Sequence, residues 1–288
     1  MPDSFDESEP DGDSATDSRL DAALGARGLA RSRTHAARLI ADGLVSVNGV
    51  PQVKPAFRVR ADQTITVEGA DHYVSRGAHK LIAALDAFEI DPSGRIALDA
   101  GASTGGFTQV LLERGASRVL AIDVGHGQLV SEIQENAAVT SFEGFNIRDL
   151  TRVWVEAQLQ SPEFPKSGRP QSALPTLVVA DLSFISLGMV LEPLRDSVDP
   201  GADFVLLVKP QFEVGKGGIR EGIVRDVGLR QDAISGVLWA AWDLGMGTAG
   251  VIPSPIAGTA GNREYLIWLS VTTGSNPTEW IDVVRQLQ

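Results

Sequence analysis

The chain has 288 residues, 43% of them hydrophobic, a formal net charge of −12 and no cysteine. That length suits two domains, and the lack of cysteine excludes disulfides, cysteine-ligated zinc and a thiol nucleophile. No run of about twenty apolar residues occurs; the nearest, 176–191, is interrupted by Asp181, so no membrane span is expected. The acidic start lacks the basic and apolar regions of a secretory signal, and a cytoplasmic location is expected. Charge is unevenly spread: residues 1–18 carry −7, residues 19–80 carry +5 and residues 81–288 carry −10. A basic block between acidic segments points towards nucleic acid.

Residues 1–17 are rich in Asp, Glu, Ser and Gly and cannot bury enough apolar surface to order themselves, so a disordered tail is expected. Ser18 reads as the N-cap of a first helix carrying Leu20, Ala23 and Leu24, closed by Gly28. Ser32 caps a second, with Ala36, Leu39 and Ile40 inward and Gly43 at its end. Val45-Ser-Val47 then meets Asn48-Gly49, a strong hairpin signal. Strand pieces broken by Pro51, Pro55 and 61–63 complete a small α+β block over 18–68. The residues Arg19-Leu-Asp-Ala-Ala-Leu24, Gly28-Leu-Ala-Arg-Ser-Arg33, Ala37-Arg-Leu-Ile40, Val45-Ser-Val-Asn-Gly49 and Lys54-Pro55 give this block its resemblance to the S4 RNA-binding domain. The resemblance implies that Arg19, Arg31, Arg33 and Lys54 face RNA phosphates. Such contacts give affinity and salt dependence with little sequence choice.

A linker is expected over 69–77 and a second domain over 78–288, opening with a helix that carries Leu81, Leu85 and Phe88. Lys80 stands at its start, where a cation gains nothing from the helix dipole. The chain is organised around Ile96-Ala-Leu-Asp-Ala-Gly-Ala-Ser-Thr-Gly-Gly-Phe-Thr108: a buried strand, a glycine turn and a helix. A second strand, Val119 to Ile122, ends in Asp123, about twenty residues past the first glycine. This is the layout of a nucleotide-type cofactor site, with Asp123 placed for ribose hydroxyls. Ser103 stands where a dinucleotide site needs glycine, so S-adenosylmethionine (SAM) fits better than NAD. NAD and a ligand-free turn are the other readings of this stretch.

Further strands are expected at 140–143, 177–180, 204–208, 248–253 and 265–271, with a helix over 231–244. Strands alternating with helices predict a Rossmann-like, doubly wound and mostly parallel seven-stranded sheet. Residues 161–175 read as a surface loop, 215–228 as a mobile loop over the site, and His126 as a wall of the cofactor pocket. Ligands in such sheets sit outside the carboxyl ends of the strands, which places Asp99, Gly101, Asp181 and Lys209 together. A structural Lys–Asp ion pair is the plain alternative.

The motifs Ser75-Arg-Gly-Ala-His-Lys80, Asp99-Ala-Gly-Ala-Ser-Thr-Gly-Gly-Phe-Thr108, Ala180-Asp-Leu-Ser-Phe-Ile-Ser186, Leu207-Val-Lys-Pro-Gln-Phe-Glu-Val-Gly-Lys216 and Gly261-Asn-Arg-Glu-Tyr265 resemble the TlyA family. Those are SAM-dependent rRNA 2′-O-methyltransferases with an FtsJ-like catalytic domain. The resemblance covers about residues 18–270. It implies a catalytic set of Lys80, Asp181, Lys209 and Glu264, in which Lys209 accepts the 2′-hydroxyl proton and the two acids orient the lysines. It also implies cofactor contacts by Gly101, Ser103, Gly105, Asp123, Asn146 and Asp181, and cytidines of 16S and 23S rRNA, in ribosomal subunits or their precursors, as substrate. No metal is required. Proteins of this family are also labelled haemolysins, so a membrane-active protein is a rival reading, as is an RNA-binding protein with an inactive methyltransferase domain.

Overall fold

Alternate residues of the central strands enter two separate apolar cores, so the sheet they form is covered on both faces. Leu98, Val178 and Leu206 belong to one core, and Ala97, Val179 and Val205 to the other. Near-continuous apolar runs are what such a parallel sheet requires. The computed structural model describes residues 17–30, 32–67, 72–160, 174–215, 218–258 and 261–287, and the chain divides into two units between His72 and Tyr73. The expected tail (all but its last residue), Arg31 and most of the 161–175 loop lie outside the described residues.

The first unit contains β1 (Ser18–Arg19), α1 (Leu20–Ala26), α2 (Arg33–Ala41), β2 (Val45–Val47), β3 (Val50–Pro51), β4 (Arg58–Val59) and β5 (Ile65–Val67). Strand β2 pairs antiparallel with β3 and β5, and Asn48 (φ +49) and Gly49 (φ +78) make the tight turn between β2 and β3. Ser32 caps α2, its hydroxyl accepting the N–H of His35 at 3.1 Å. Ser18 is not a cap. It pairs with Val59 in a two-stranded ladder, and α1 starts at Leu20 without a side-chain cap of its own. The core here is small, so polar ties matter. Arg27 donates to the carbonyl oxygens of Arg60, Ala61 and Gln63, joining the end of α1 to the turn before β5.

The second unit contains α3 (Ala78–Ala87), β6 (Ile96–Ala100), α4 (Gly106–Glu113), β7 (Arg118–Ile122), α5 (Ser131–Gln134), β8 (Val139–Phe142), α6 (Arg152–Gln160), β9 (Leu177–Ala180), α7 (Leu191–Ser197), β10 (Asp203–Val208), α8 (Pro210–Glu213), α9 (Val227–Asp243), β11 (Gly247–Pro253), β12 (Tyr265–Ser270) and α10 (Ile281–Gln286). The sheet order is β11-β12-β10-β9-β6-β7-β8. Strands β6 to β10 are parallel, and β12 runs antiparallel to both β10 and β11. The chain winds outward in one direction through β7 and β8 and in the other through β9 and β10. The crevice therefore opens between the carboxyl ends of β6 and β9. In the stretch 69–77, expected as a linker, Tyr73 onward packs with the second unit: Val74 is buried, and its N–H donates to Gln109 at 2.8 Å.

Asp99, on β6, is fully buried. Its Oδ2 accepts the Thr108 hydroxyl at 2.6 Å, and its Oδ1 has no partner among the described residues. Burial pushes this carboxyl up to about 7, with further push from Asp181 and Asp123 against the pull of the Thr108 bond. The folded protein thus holds a proton that the unfolded chain releases above about pH 4. The stability Asp99 contributes is lost as pH rises from about 4 to about 7. Urea unfolding of wild type and Asp99→Asn at about pH 5 and about pH 8 checks this; the fall in stability between the two should be smaller in the variant.

Candidate active site

Where β6 ends, the chain must pass the loop after β9 at backbone distance. Gly101 (φ +85) allows this, because a Cβ there would stand 3.0 Å from the carbonyl oxygen of Asp181. Ser103 follows with φ +49; its N–H donates to Asp123 Oδ2 at 2.8 Å and its hydroxyl to Gln128 Oε1 at 3.2 Å. Asp123 Oδ1 accepts the N–H of Gly125 at 2.7 Å. The Asp123 carboxylate therefore ties the glycine turn to the turn after β7. A carboxylate has about four lone-pair sites, so two are left for ligand hydroxyls.

Around this turn lies a cavity of about 670 Å³, lined by Gly101, Ser103, Asp123, Asn146 and Asp181 among others. Five of the six residues expected at the cofactor site thus share one cavity. Gly105 does not line it. At φ +99 it precedes α4, and a Cβ there would meet Leu129 at 2.8 Å, so its glycine serves the turn and the packing behind it. Asn146 Oδ1 accepts the N–H of Arg148 at 3.1 Å and so fixes the turn after β8. His126 is not in the wall of the cavity either. Its ring covers Gly144, while the neighbouring Glu143 accepts the N–H groups of Gly127 (2.9 Å) and Gln128 (3.3 Å). Those backbone bonds, above all that of Gly127, hold the Glu143 carboxyl below the usual range.

Beside the cavity, four charged side chains from four distant segments meet. Lys80 comes from the first turn of α3, Asp181 from the end of β9, Lys209 from the end of β10 and Glu264 from the residue before β12. The reversed direction of β12 explains the last. Tyr265 pairs with Val208, so the amino end of β12 lies beside the carboxyl end of β10. Lys80 Nζ stands 2.6 Å from Glu264 Oε2 and 3.4 Å from Asp181 Oδ2, and Lys209 Nζ stands 2.6 Å from Asp181 Oδ1. Side-chain exposure is 3% for Glu264, 8% for Lys80, 9% for Lys209 and 21% for Asp181. Two ammonium and two carboxylate groups cancel, as near-complete burial demands. Burial works to raise the Asp181 carboxyl, but Lys209 and Lys80 together outweigh it and hold it below the usual carboxylate range. Lys80 was oddly placed for a helix start; its carboxylate partners account for it.

Sequence reasoning passed over Ser183, whose hydroxyl lies 2.8 Å from Lys209 Nζ and which lines the cavity. It also passed over Phe184, 91% exposed at the cavity mouth. A clue was present in the quoted motif, because polar and aromatic residues straight after a buried strand end face whatever binds there. The 215–228 loop is anchored where it is described. Asn262 accepts the N–H of Val224 at 3.2 Å and donates to Gly222 O at 2.8 Å, and the buried Arg230 donates to Val224 O and Arg225 O.

In the first unit, two of the expected phosphate-facing arginines share an acid. Arg19 makes two 3.0 Å bonds to Asp21, and Arg33 Nε stands 3.8 Å from the same carboxylate. Lys54 is exposed.

Comparisons with known proteins agree with this architecture. Residues 73–271 match the FtsJ-like methyltransferase family, and residues 18–65 match the S4 domain. A Mycobacterium tuberculosis protein named 16S/23S rRNA (cytidine-2′-O)-methyltransferase TlyA is 47% identical over 258 residues, 88% of this chain and 90% of that protein. Hemolysin A of Brachyspira hyodysenteriae is 35% identical over 249 residues, 86% of this chain and 98% of that one. A solved structure of a hemolysin candidate from Streptococcus thermophilus is 35% identical, covers 95% of this chain and 96% of its own, and superposes with a TM-score of 0.71. With both units matched in the same order and nearly half of the residues shared with a TlyA protein, the chain belongs to the TlyA family of FtsJ-like methyltransferases that carry an S4 domain.

Proposed function

We propose that this chain transfers a methyl group from SAM to the ribose 2′-hydroxyl of cytidines in 16S and 23S rRNA, within ribosomal subunits or their precursors. The observation that carries the reading is the Lys80–Glu264 and Lys209–Asp181 cluster standing beside a glycine-turn cavity. The substrate is taken from the relative named for that activity, over a match that spans nearly all of both chains. Ribosomal RNA as substrate implies work in the cytoplasm.

The cavity suits the cofactor in size and in donor set. Asp123 has acceptor capacity for ribose hydroxyls, Gly101 leaves the backbone open, and Ser103, Asn146 and Asp181 complete the polar wall. When bound there, SAM supplies an activated methyl group. The chain's own task is to make a weak nucleophile competent and to hold it in line. Lys209 Nζ is the atom placed to take the 2′-hydroxyl proton once the ammonium has released one of its own to solvent, and as the neutral amine it has the lone pair that the step needs; Asp181 and Ser183 fix its direction. Glu264 holds Lys80 in the position where it shares the Asp181 carboxylate, so the two amines cannot approach each other freely. Much of the acceleration then comes from holding the reacting oxygen in one place. The S4 unit supplies affinity for RNA. Asp21 already engages Arg19 and Arg33, and the exposed Lys54 is placed to make one phosphate contact.

Methylation of rRNA by the purified chain, with mapping of blocked 2′-hydroxyls, tests the reading. Lys209→Ala should lower turnover by at least about a hundredfold, with SAM affinity by calorimetry changed less than about threefold. Full turnover in that variant would remove Lys209 from its role. For the first unit, Lys54→Ala should reduce the slope of log affinity against log salt by about 0.9 without changing sequence preference. Filter binding of RNA across a salt series measures it.

A further inference from the structure

The segment Lys209-Pro-Gln-Phe-Glu213 contributes Lys209 to the charged cluster, yet its last residue is engaged as well. Glu213 closes α8, one helical turn after Lys209. Its Oε2 accepts the Ser186 hydroxyl at 2.6 Å and its Oε1 accepts the N–H of Leu187 at 2.9 Å. Ser186 in turn accepts the N–H of Gly188 at 3.1 Å, as the cap of the short 3-10 turn Leu187–Met189. The loop that follows β9 is thus held twice by the segment that follows β10. Lys209 grips its start through Asp181 and Ser183, and Glu213 grips its end.

Between the grips lies Phe184 with φ +66, its ring 5.3 Å from that of Phe212. A bulky residue in the left-handed region is an outlier, and it persists only where its surroundings impose it. Two fastenings, one on each side, are what would impose it. Burial pushes the Glu213 carboxyl above its usual range, against the pull of its bonds to Leu187 and Ser186. A glutamate whose only task was solubility would sit in water instead.

We propose that Glu213 is a positioning residue: a latch that fixes the 181–187 loop so that Asp181 and Ser183 hold Lys209 Nζ in its working place. This rests on the methyltransferase reading. It adds a residue that touches neither cofactor nor substrate and acts through the loop.

The test uses the full chain with Glu213→Met, which keeps the length of the side chain but removes both acceptors, leaving the Leu187 N–H and the Ser186 hydroxyl without theirs. Amide hydrogen exchange over 182–188 should quicken at least about tenfold, with the rest of the second unit unchanged. Turnover on rRNA should fall at least about tenfold while KM for RNA stays within about threefold, because a small misplacement of a catalytic group is felt in the chemical step. The double variant Glu213→Met with Ser186→Ala should lose less than the product of the two single losses, since the Ser186–Glu213 contact is broken only once. If Glu213→Met does not fold, Ser186→Ala alone, which removes one donor to Glu213 and the cap on the Gly188 N–H, should show the same changes at about threefold. Faster exchange with unchanged turnover overturns the positioning role, and unchanged exchange overturns the latch. Exchange needs no activity, so a wild-type chain that transfers no methyl group would sink the functional reading while leaving the latch to be decided.

Discussion

One carboxylate bridging two lysines sets the terms for the rest of the larger unit. Asp181 lies within ion-pair distance of both Lys80 and Lys209, and neither lysine has more than a tenth of its side chain exposed. An ammonium kept that far from water without a partner would cost several kcal/mol. The fold must therefore deliver Asp181 and Glu264 to the same place as the lysines. It does so with the ends of β9 and β10, the first turn of α3 and a reversed β12. The glycine turn after β6 depends on the same loop, because only glycine at 101 lets the backbone lie against the Asp181 carbonyl. The cavity at the glycine turn and the charged cluster are two sides of one short segment.

Much of this was legible in the sequence, for physical reasons that can be named. Buried parallel strands need unbroken apolar runs, and 96–100, 177–180 and 204–208 supply them. The polar residues that interrupt such runs at their carboxyl ends then declare the crevice. Asn48-Gly49 announced its hairpin because few other pairs tolerate two positive φ angles. Lys80 was conspicuous because a cation at a helix start works against the dipole. The helices α6, α7 and α10 were not foreseen. Each is short and mixed in composition, and each is held by tertiary packing in the first core more than by its own pattern.

The features that the sequence did not show share a cause as well. Ser18 has the right chemistry for a cap, but backbone pairing with Val59 uses the residue first. Arg19 and Arg33 look like free surface cations until Asp21 is seen between them, at a spacing that only the fold creates. Gly105 and His126 stand in the right part of the sequence but face packing partners and not the cavity. Glu213 reads as the tail of a lysine motif, and its grip on Ser186 and Leu187 joins residues 27 and 26 positions apart. Sequence pattern reports which face of an element is apolar. It reports poorly which polar groups have already found each other.

The reversed last strand carries a consequence for how the protein comes into being. Translation delivers the chain from its amino end, and domains tend to fold as they emerge. The small unit and β6 to β10 can all be out and paired while Glu264, 184 positions beyond Lys80, is still inside the ribosome. Until that residue arrives, Lys80 has only the shared Asp181 carboxylate, and β10 exposes an open edge. A nascent chain can therefore complete its smaller unit before the charged cluster beside the cavity is closed.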